Sequence, residues 1–277
     1  MNIPRVVAIH DLSSFGKCSL GVAIPVISAM GVEVCPLPTA ILSSYMKYKN
    51  PVIVDFTNHI ESFVAHFGEI GFHTNIVYSG FLGDVRQIEL ITRSLDILKP
   101  NMLIVDPVMG DNGKLYKIYD DTMCAKMREL VSVADVVTPN LTESFLLAGE
   151  AEYMEDTSKE KMQYLTEKIR ALGAKTIVIT GVERGRFLYN CILDQHGYRE
   201  NEIEFLAFRK SGTGDLFASV LTGKLVKGFS IDEAVATAAT FVHNVLVHQY
   251  QYNGLAEDSI FFEPFLYRLA KEGIGNE

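Results

Sequence analysis

Along this chain, short unbroken apolar runs alternate with stretches whose apolar residues recur every three or four positions. Val6–Ile9 (VVAI) reads as a buried strand that runs into a polar loop. The spacing then predicts a helix over 19–30, with Ser19 as its N-cap, Gly31 as its stop and a kink at Pro25. Further strands are expected at 32–36, 76–79, 102–105 (MLIV), 136–138 and 176–180 (TIVIT). Helices are expected at 57–67 with Thr57 as cap, at 85–98 ahead of Pro100, at 121–132 and 143–148, and from just after Thr157 to Leu172. Continuous apolar strands separated by helices are the pattern of a parallel sheet covered on both faces. After Gly181 the rhythm changes. Residues 187–193 and 203–208 flank a polar stretch at 194–201 and predict an antiparallel hairpin. Helices at 215–227 and 231–249 follow, and in the second Ile231, Ala234, Val235, Ala238, Val242, Val245 and Leu246 share one apolar face. With no internal repeat or Gly/Ser linker, the expected fold is an α/β domain over 1–277. It is a three-layer α/β/α sandwich with a central, mostly parallel sheet and an antiparallel hairpin near the C-terminal third.

Composition narrows the partners. At 277 residues and 48% apolar, the chain is long enough for a large core and too apolar to remain disordered. It carries 25 Lys and Arg against 34 Asp and Glu, a net charge of −9 without a basic run, so neither nucleic acid nor an anionic membrane is an expected partner. The longest uncharged stretch, Cys18–Val32, has 15 residues and contains Gly21, Pro25 and Gly31, whereas a spanning helix needs about 20 apolar residues. Met1–Arg5 leads directly into a strand without a signal-peptide pattern. Cys18, Cys35, Cys124 and Cys191 are scattered, which suits free thiols and a cytoplasmic location. The seven histidines show no zinc-binding spacing.

The candidate chemistry lies in polar, Gly-containing segments that follow predicted strands, the edge where open α/β sheets gather ligands. Ser211–Asp215 (SGTGD) directly precedes a helix. Its glycines let the backbone turn sharply, so that successive N–H groups at the positive helix end would cradle an anion. Asp215 beside that anion makes sense as a base for an incoming hydroxyl; as an alternative it is a plain N-terminal Asp after a glycine turn. In Asp106–Tyr116 (DPVMGDNGKLY), Asp106 and Asp111 would hold Mg²⁺ through water, or would stabilise a loop by Asx turns. In Thr138–Glu143 (TPNLTE), Asn140 and Glu143 offer an amide and a carboxylate at the sheet edge, and also match a capping box. In His10–Ser19 and Ser79–Asp84, Asp11, Ser13 and Ser14 would meet a polar substrate edge while Phe81 stacks on a ring. P-loop, dinucleotide and nucleophile-elbow motifs are absent from the sequence.

These segments, SGFLG at 79–83, DPVMGDNGKLY, TPNLTE and GTGD at 212–215, resemble in order and spacing the ribokinase-like superfamily, and within it the vitamin B6 kinases, from about Val6 to Tyr250. The resemblance implies phosphorylation of a hydroxymethyl group of a B6 vitamer (pyridoxal, pyridoxamine or pyridoxine) by ATP with Mg²⁺, commonly by a homodimer, and leaves a monovalent-cation requirement open. It implies Asp215 as catalytic base, with Gly212, Thr213 and Gly214 as the anion hole. Asp106, Asn140 and Glu143 match positions that organise magnesium and its waters near the phosphates, and Thr180 matches a nucleotide-contacting position. The helix around Val242–Leu246 would border the adenine. Thr39 and Phe81 match positions lining the pyridine pocket, with Asp11 and Ser14 at its polar edge. Three features depart from the family pattern on that side. Asp11 stands where several members have Ser, Phe81 where many have Tyr, and the segment after Thr39 lacks the expected His- and Gly-containing pattern.

Three other readings compete. Hydroxymethylpyrimidine (phosphate) kinases of the same superfamily usually carry Cys where Asp215 stands. Adenosine and sugar kinases share GTGD but bring an early β lid for which 37–56 is short. A non-catalytic B6 or nucleotide carrier would have no need of Asp215 with a complete anion hole.

Overall fold

Strands whose side chains are buried on both faces must be covered on both faces, and that requirement organises the chain. The computed structural model describes residues 3–150, 156–252 and 259–273; the remaining positions of the expected 1–277 domain lie outside the described residues. The first half comprises β1 (Arg5–Ser13), α1 (Leu20–Ala29), β2 (Glu33–Leu42), β3 (Ile53–Asp55), α2 (Thr57–Glu69), β4 (Ile76–Ser79), α3 (Val85–Leu98) and β5 (Met102–Val105). A small ribbon of β6 (Gly110–Asp111) and β7 (Lys114–Leu115) leads to α4 (Asp121–Ser132), β8 (Val136–Val137), α5 (Leu141–Ala148) and α6 (Lys159–Arg170). Then come β9 (Thr176–Arg184), β10 (Phe187–Asp194), β11 (Gly197–Glu204), α7 (Thr213–Val226), α8 (Ile231–Gln251), a 3₁₀ turn and α9 (Leu266–Gly273).

Nine strands form one sheet in the order β11-β10-β9-β8-β5-β4-β1-β2-β3. The six from β9 to β2 are mutually parallel, while β3 and the β10–β11 hairpin close the two ends antiparallel. One apolar layer packs α2 to α6 on one face, through Ile60, Ile91, Met127, Phe145 and Leu165. The other packs α1, α7, α8 and α9, through Val26, Leu221, Ala238 and Leu269. The chain leaves β1 towards β2 and later returns to place β4 on β1's other side, so the direction of winding reverses between β1 and β4. Crevices beyond the carboxyl ends of strands at such a reversal are where open α/β sheets bind ligands.

The three-layer expectation stands, and the local departures have physical causes. β2 continues through Pro36 and Pro38 to Leu42, and β3 has no counterpart in the apolar pattern because its three side chains are exposed. The hairpin's second strand is Gly197–Glu204, not 203–208. Its polar residues earn a strand position through cross-strand pairing: Arg184 with Glu200 at 2.9 Å, Tyr189 Oη with Glu202 at 2.7 Å, and Arg199 with Asp194 at 2.8 Å. One expected cap moves. Thr57 is the first residue of α2, and Asp55 accepts its N–H. Ser158 caps α6. α1 runs on across Pro25, and Ser19 occupies its N-cap position without making a side-chain capping bond.

Candidate active site

Beyond the carboxyl ends of β1, β4, β5, β8 and β9 lies a groove of about 1100 Å³. It collects polar loops that are far apart in sequence. Asp11, Phe81, Asp106, Asn140, Glu143, Thr180, Gly212, Thr213, Gly214, Asp215 and Val242 all line it.

One end is built around the start of α7. Gly212 occupies the N-cap position with φ 89°. A Cβ there would lie 2.2 Å from the Lys17 carbonyl oxygen, so both the backbone conformation and the space require glycine. The first N–H groups of a helix have no intrahelical acceptor and sit at its positive end. Those of Thr213, Gly214 and Asp215 are therefore donors for an anion in the groove. Gly214 is exposed and has open space where a Cβ would be. Asp215, in the first turn, is half-buried at the groove wall. Burial pushes its carboxyl up to about 7; a main-chain hydrogen bond from Ser19 opposes the shift and the Asp11 charge adds to it.

Asp106 follows β5, its N–H donating to the Ser79 carbonyl at 2.8 Å. Burial, and then the Asp215 charge, hold the Asp106 carboxyl well above the usual carboxylate range. Glu143 completes this acidic wall. Its Oε2 accepts the Asn140 N–H at 2.8 Å and its Oε1 the Met109 N–H at 3.2 Å. Asn140 Oδ1 in turn accepts the Glu143 N–H at 2.9 Å, while its Nδ2 donates to the Gly110 carbonyl at 2.9 Å. TPNLTE is therefore a true capping box whose two side chains also face the groove. Burial, reinforced by the Asp106 charge, pushes the Glu143 carboxyl up as well. Asp111 lies on the same wall, and its Oδ1 accepts the Asn112 N–H at 2.8 Å. Thr180, within β9, lies beyond the stretch paired with β8 and bridges to Asn140. Val242, with Ala239, His243 and Leu246 from α8 and Phe205, Leu206 and Phe208 after the hairpin, makes an apolar end to the groove.

The opposite wall differs from expectation. β1 remains extended to Ser13, and its two-residue period puts Ser13 beside Asp11. Ser14, the expected contact, is exposed and absent from the lining. Thr39 is buried behind the wall, where its Oγ1 donates to the Phe81 carbonyl at 3.3 Å and its carbonyl accepts from Gln87 Nε2 at 3.0 Å. Gln87 also accepts the Gly83 N–H at 2.9 Å, so this buried amide ties the Phe81 loop to β2. Ser13, expected with Asp11 and Ser14, does line the groove. Sequence reasoning passed over Ser19, Cys18, Gln87 and the Tyr45–Lys47 loop. For Gln87 there was no signal, because a buried glutamine looks like any polar helical residue.

The three-layer fold, with its mostly parallel sheet and end hairpin, is that of the ribokinase-like phosphotransferases. The chain belongs to the phosphomethylpyrimidine kinase family, whose pattern matches residues 26–257. It is similar to a Bacteroides thetaiotaomicron VPI-5482 protein, described as a candidate phosphomethylpyrimidine kinase and solved with pyridoxal: 33% identical, TM-score 0.91, covering 97% of this chain and 96% of that one. It is also similar to a pyridoxal kinase from Lactobacillus plantarum, at 30% identity and TM-score 0.91 over 98% of both chains. Pyridoxal kinase PdxY of Rubrobacter xylanophilus is 26% identical over 266 residues, 87% of this chain and 86% of its own. Among the described residues, no helix is long and apolar enough to cross a membrane.

Proposed function

We propose that this chain is an ATP-dependent kinase that phosphorylates the hydroxymethyl group of a vitamin B6 vitamer. The observation that carries the reading is the placement of Asp215 in the first turn of the helix whose glycine terminus faces the groove. The acceptor oxygen attacks the terminal phosphorus, the bond to the ADP oxygen breaks, and Asp215 takes the hydroxyl proton late, as the new O–P bond forms. The amides at Gly212–Asp215 meet the charge spreading over the phosphoryl oxygens. The apolar end around Val242 and Leu246 takes the adenine, and Thr180 and Asn140 border the phosphates. Phe81 offers a ring face to the vitamer, and Asp11 its polar edge.

Mg²⁺ fits this wall by charge. Asp106, Asp111, Glu143 and Asp215 all face one space, and a divalent ion would relieve their mutual repulsion. Among the described residues no three His, Cys, Asp or Glu side chains are arranged to ligate a metal. Both Glu143 oxygens already accept main-chain N–H groups. Asp106 and Glu143 would therefore hold the ion through its water shell, as magnesium commonly allows, and it would supply charge neutralisation at the phosphates. The reading extends to a cytoplasmic homodimer, supported by four free cysteines and by apolar side chains exposed along the β2–β3 edge, Ile41, Val52, Ile53 and Val54.

The test is a phosphorylation panel with Mg·ATP over pyridoxal, pyridoxamine, pyridoxine, hydroxymethylpyrimidine and ribose. Turnover of a B6 vitamer is expected. Turnover of hydroxymethylpyrimidine alone would transfer the substrate to the competing family activity, and ADP release with none of the five would overturn the reading.

A further inference from the structure

Ser19 has a backbone that serine rarely adopts, with φ 52° and ψ −129°. That region belongs to glycine, and other residues are held there only where their surroundings over-determine them. Helix capping is not the reason. The residue occupies the N-cap position of α1, yet its side chain caps nothing.

Its polar groups are engaged elsewhere. Ser19 Oγ donates to Asp11 Oδ1 at 2.6 Å, a buried hydrogen bond, while Ser13 Oγ donates to the other oxygen, Oδ2, at 3.1 Å. The Ser19 main-chain N–H lies near enough to the Asp215 carboxyl to favour its charged form. One residue thus stands between a carboxylate at the end of the central strand β1, which it bonds, and a carboxylate at the start of α7. Both carboxylates line the groove, and so does Ser19. An ordinary β or α conformation at position 19 would rotate its N–H relative to its side chain and disturb this arrangement.

Resting on the kinase reading, we propose that Ser19 is a positioning residue for phosphoryl transfer. Its amide aims the Asp215 carboxylate, and its hydroxyl locks Asp11, so that the acceptor's polar edge and the base are held at one fixed separation. A carboxylate held on both oxygens by hydroxyl donors keeps a single orientation, and that orientation sets which donor group of the acceptor it meets.

The test uses the full chain with Mg·ATP and whichever acceptor the panel shows to be phosphorylated. Ser19→Gly keeps the amide, removes the hydroxyl and relaxes the backbone. The expected result is a melting temperature at or above wild type, with an acceptor KM raised roughly ten-fold, the scale of one hydrogen bond to a charged group. The ATP KM should stay within about two-fold and kcat should change less than the acceptor KM, because the amide is retained. Ser19→Ala loses the same hydroxyl but leaves a Cβ at positive φ, so it should match the acceptor defect and melt lower than Ser19→Gly. In an Asp11→Ala background, Ser19→Gly should add little, because both changes break the same contact. A wild-type acceptor KM in Ser19→Gly would overturn the proposal. So would acceptor and ATP KM values rising together as the melting temperature falls, or fully additive losses with Asp11→Ala. Vitamer turnover by the wild type with an indifferent Ser19 sinks only this inference, whereas a wild type that phosphorylates no acceptor sinks the kinase reading and this inference with it.

Discussion

On the side of the groove proposed to hold the phosphates, the lining groups are main-chain amides at the start of α7 and carboxyls set by strand ends and a capping box. On the acceptor side they are side chains, Asp11, Ser13, Ser19 and Phe81, aimed by the strand period, by a strained residue and by a buried glutamine. The first kind of wall follows from local chain geometry, since a glycine before a helix and an Asn-x-x-Glu at a helix start build the same object wherever they occur. The second depends on which way each residue faces in a strand or loop, and a one-residue change reverses that. On the proposed reading, the phosphate wall suits a reaction shared by many kinases, and the acceptor wall is where substrate choice would reside.

The largest expected effect is on the phosphate side. Asp215→Asn should lower kcat by about 10²–10⁴, the scale of general-base loss, while ATP affinity changes little; wild-type turnover in that variant would remove the base assignment. The same substitution should raise the melting temperature at pH 8. The folded carboxyl titrates near 7 and an unfolded Asp near about 4, so the wild type carries an unfavourable buried charge above pH 7. That cost fades as the pH falls from 7 towards 4, and the advantage of Asn should fade with it in melts across that range. In the wild type, kcat should climb as the pH rises through about 7, when Asp215 becomes free to accept a proton; a flat profile from pH 5 to 9 would argue against it.

Gly212→Ala tests the backbone part of the same wall. Its Cβ would meet the Lys17 carbonyl at 2.2 Å and would demand a left-handed alanine, itself costing about 1–2 kcal/mol. Loss of phosphoryl transfer with intact vitamer binding, measured by calorimetry, is expected. Asp106→Asn should raise the Mg²⁺ concentration needed for half-maximal rate by roughly 10–100-fold, the usual penalty for losing an outer-shell partner.

Effects on the acceptor side are smaller and sharpen the contrast. Gln87→Ala touches no substrate, yet it unties the Gly83 N–H, the Thr39 carbonyl and Thr57 Oγ1. It should cost about 1–3 kcal/mol in denaturant unfolding, with an acceptor KM that rises more than the ATP KM. Ser14→Ala should be close to silent in both kinetics and stability, because that side chain is exposed outside the groove lining. A ten-fold acceptor KM change there would restore Ser14 to the site and weaken the wall as drawn.

What could be read along the chain follows this division. The strand ends at Ser79 and Val105 and the helix over Val85–Leu98 fall where apolar periodicity put them, because burial on both faces leaves a local hydrophobic signature. β11 did not, because its strand is held by Arg–Glu, Arg–Asp and Tyr–Glu pairs that carry no such signature. At the site, Gly212 and the Asn140–Glu143 box were visible because a positive φ and a capping box each demand particular residues at fixed spacing. The sequence by itself thus determined the layers, the order of the strand-end loops and the glycine turn at the start of α7, all of which leave a local pattern of apolar, glycine or capping residues. Only the tertiary structure decided that Ser14 leaves the groove while Ser19 enters it, that Thr39 turns behind Phe81, and that one strained serine stands between two carboxylates. Those outcomes depend on contacts between segments brought together by the sheet, and local chemistry does not encode the meeting.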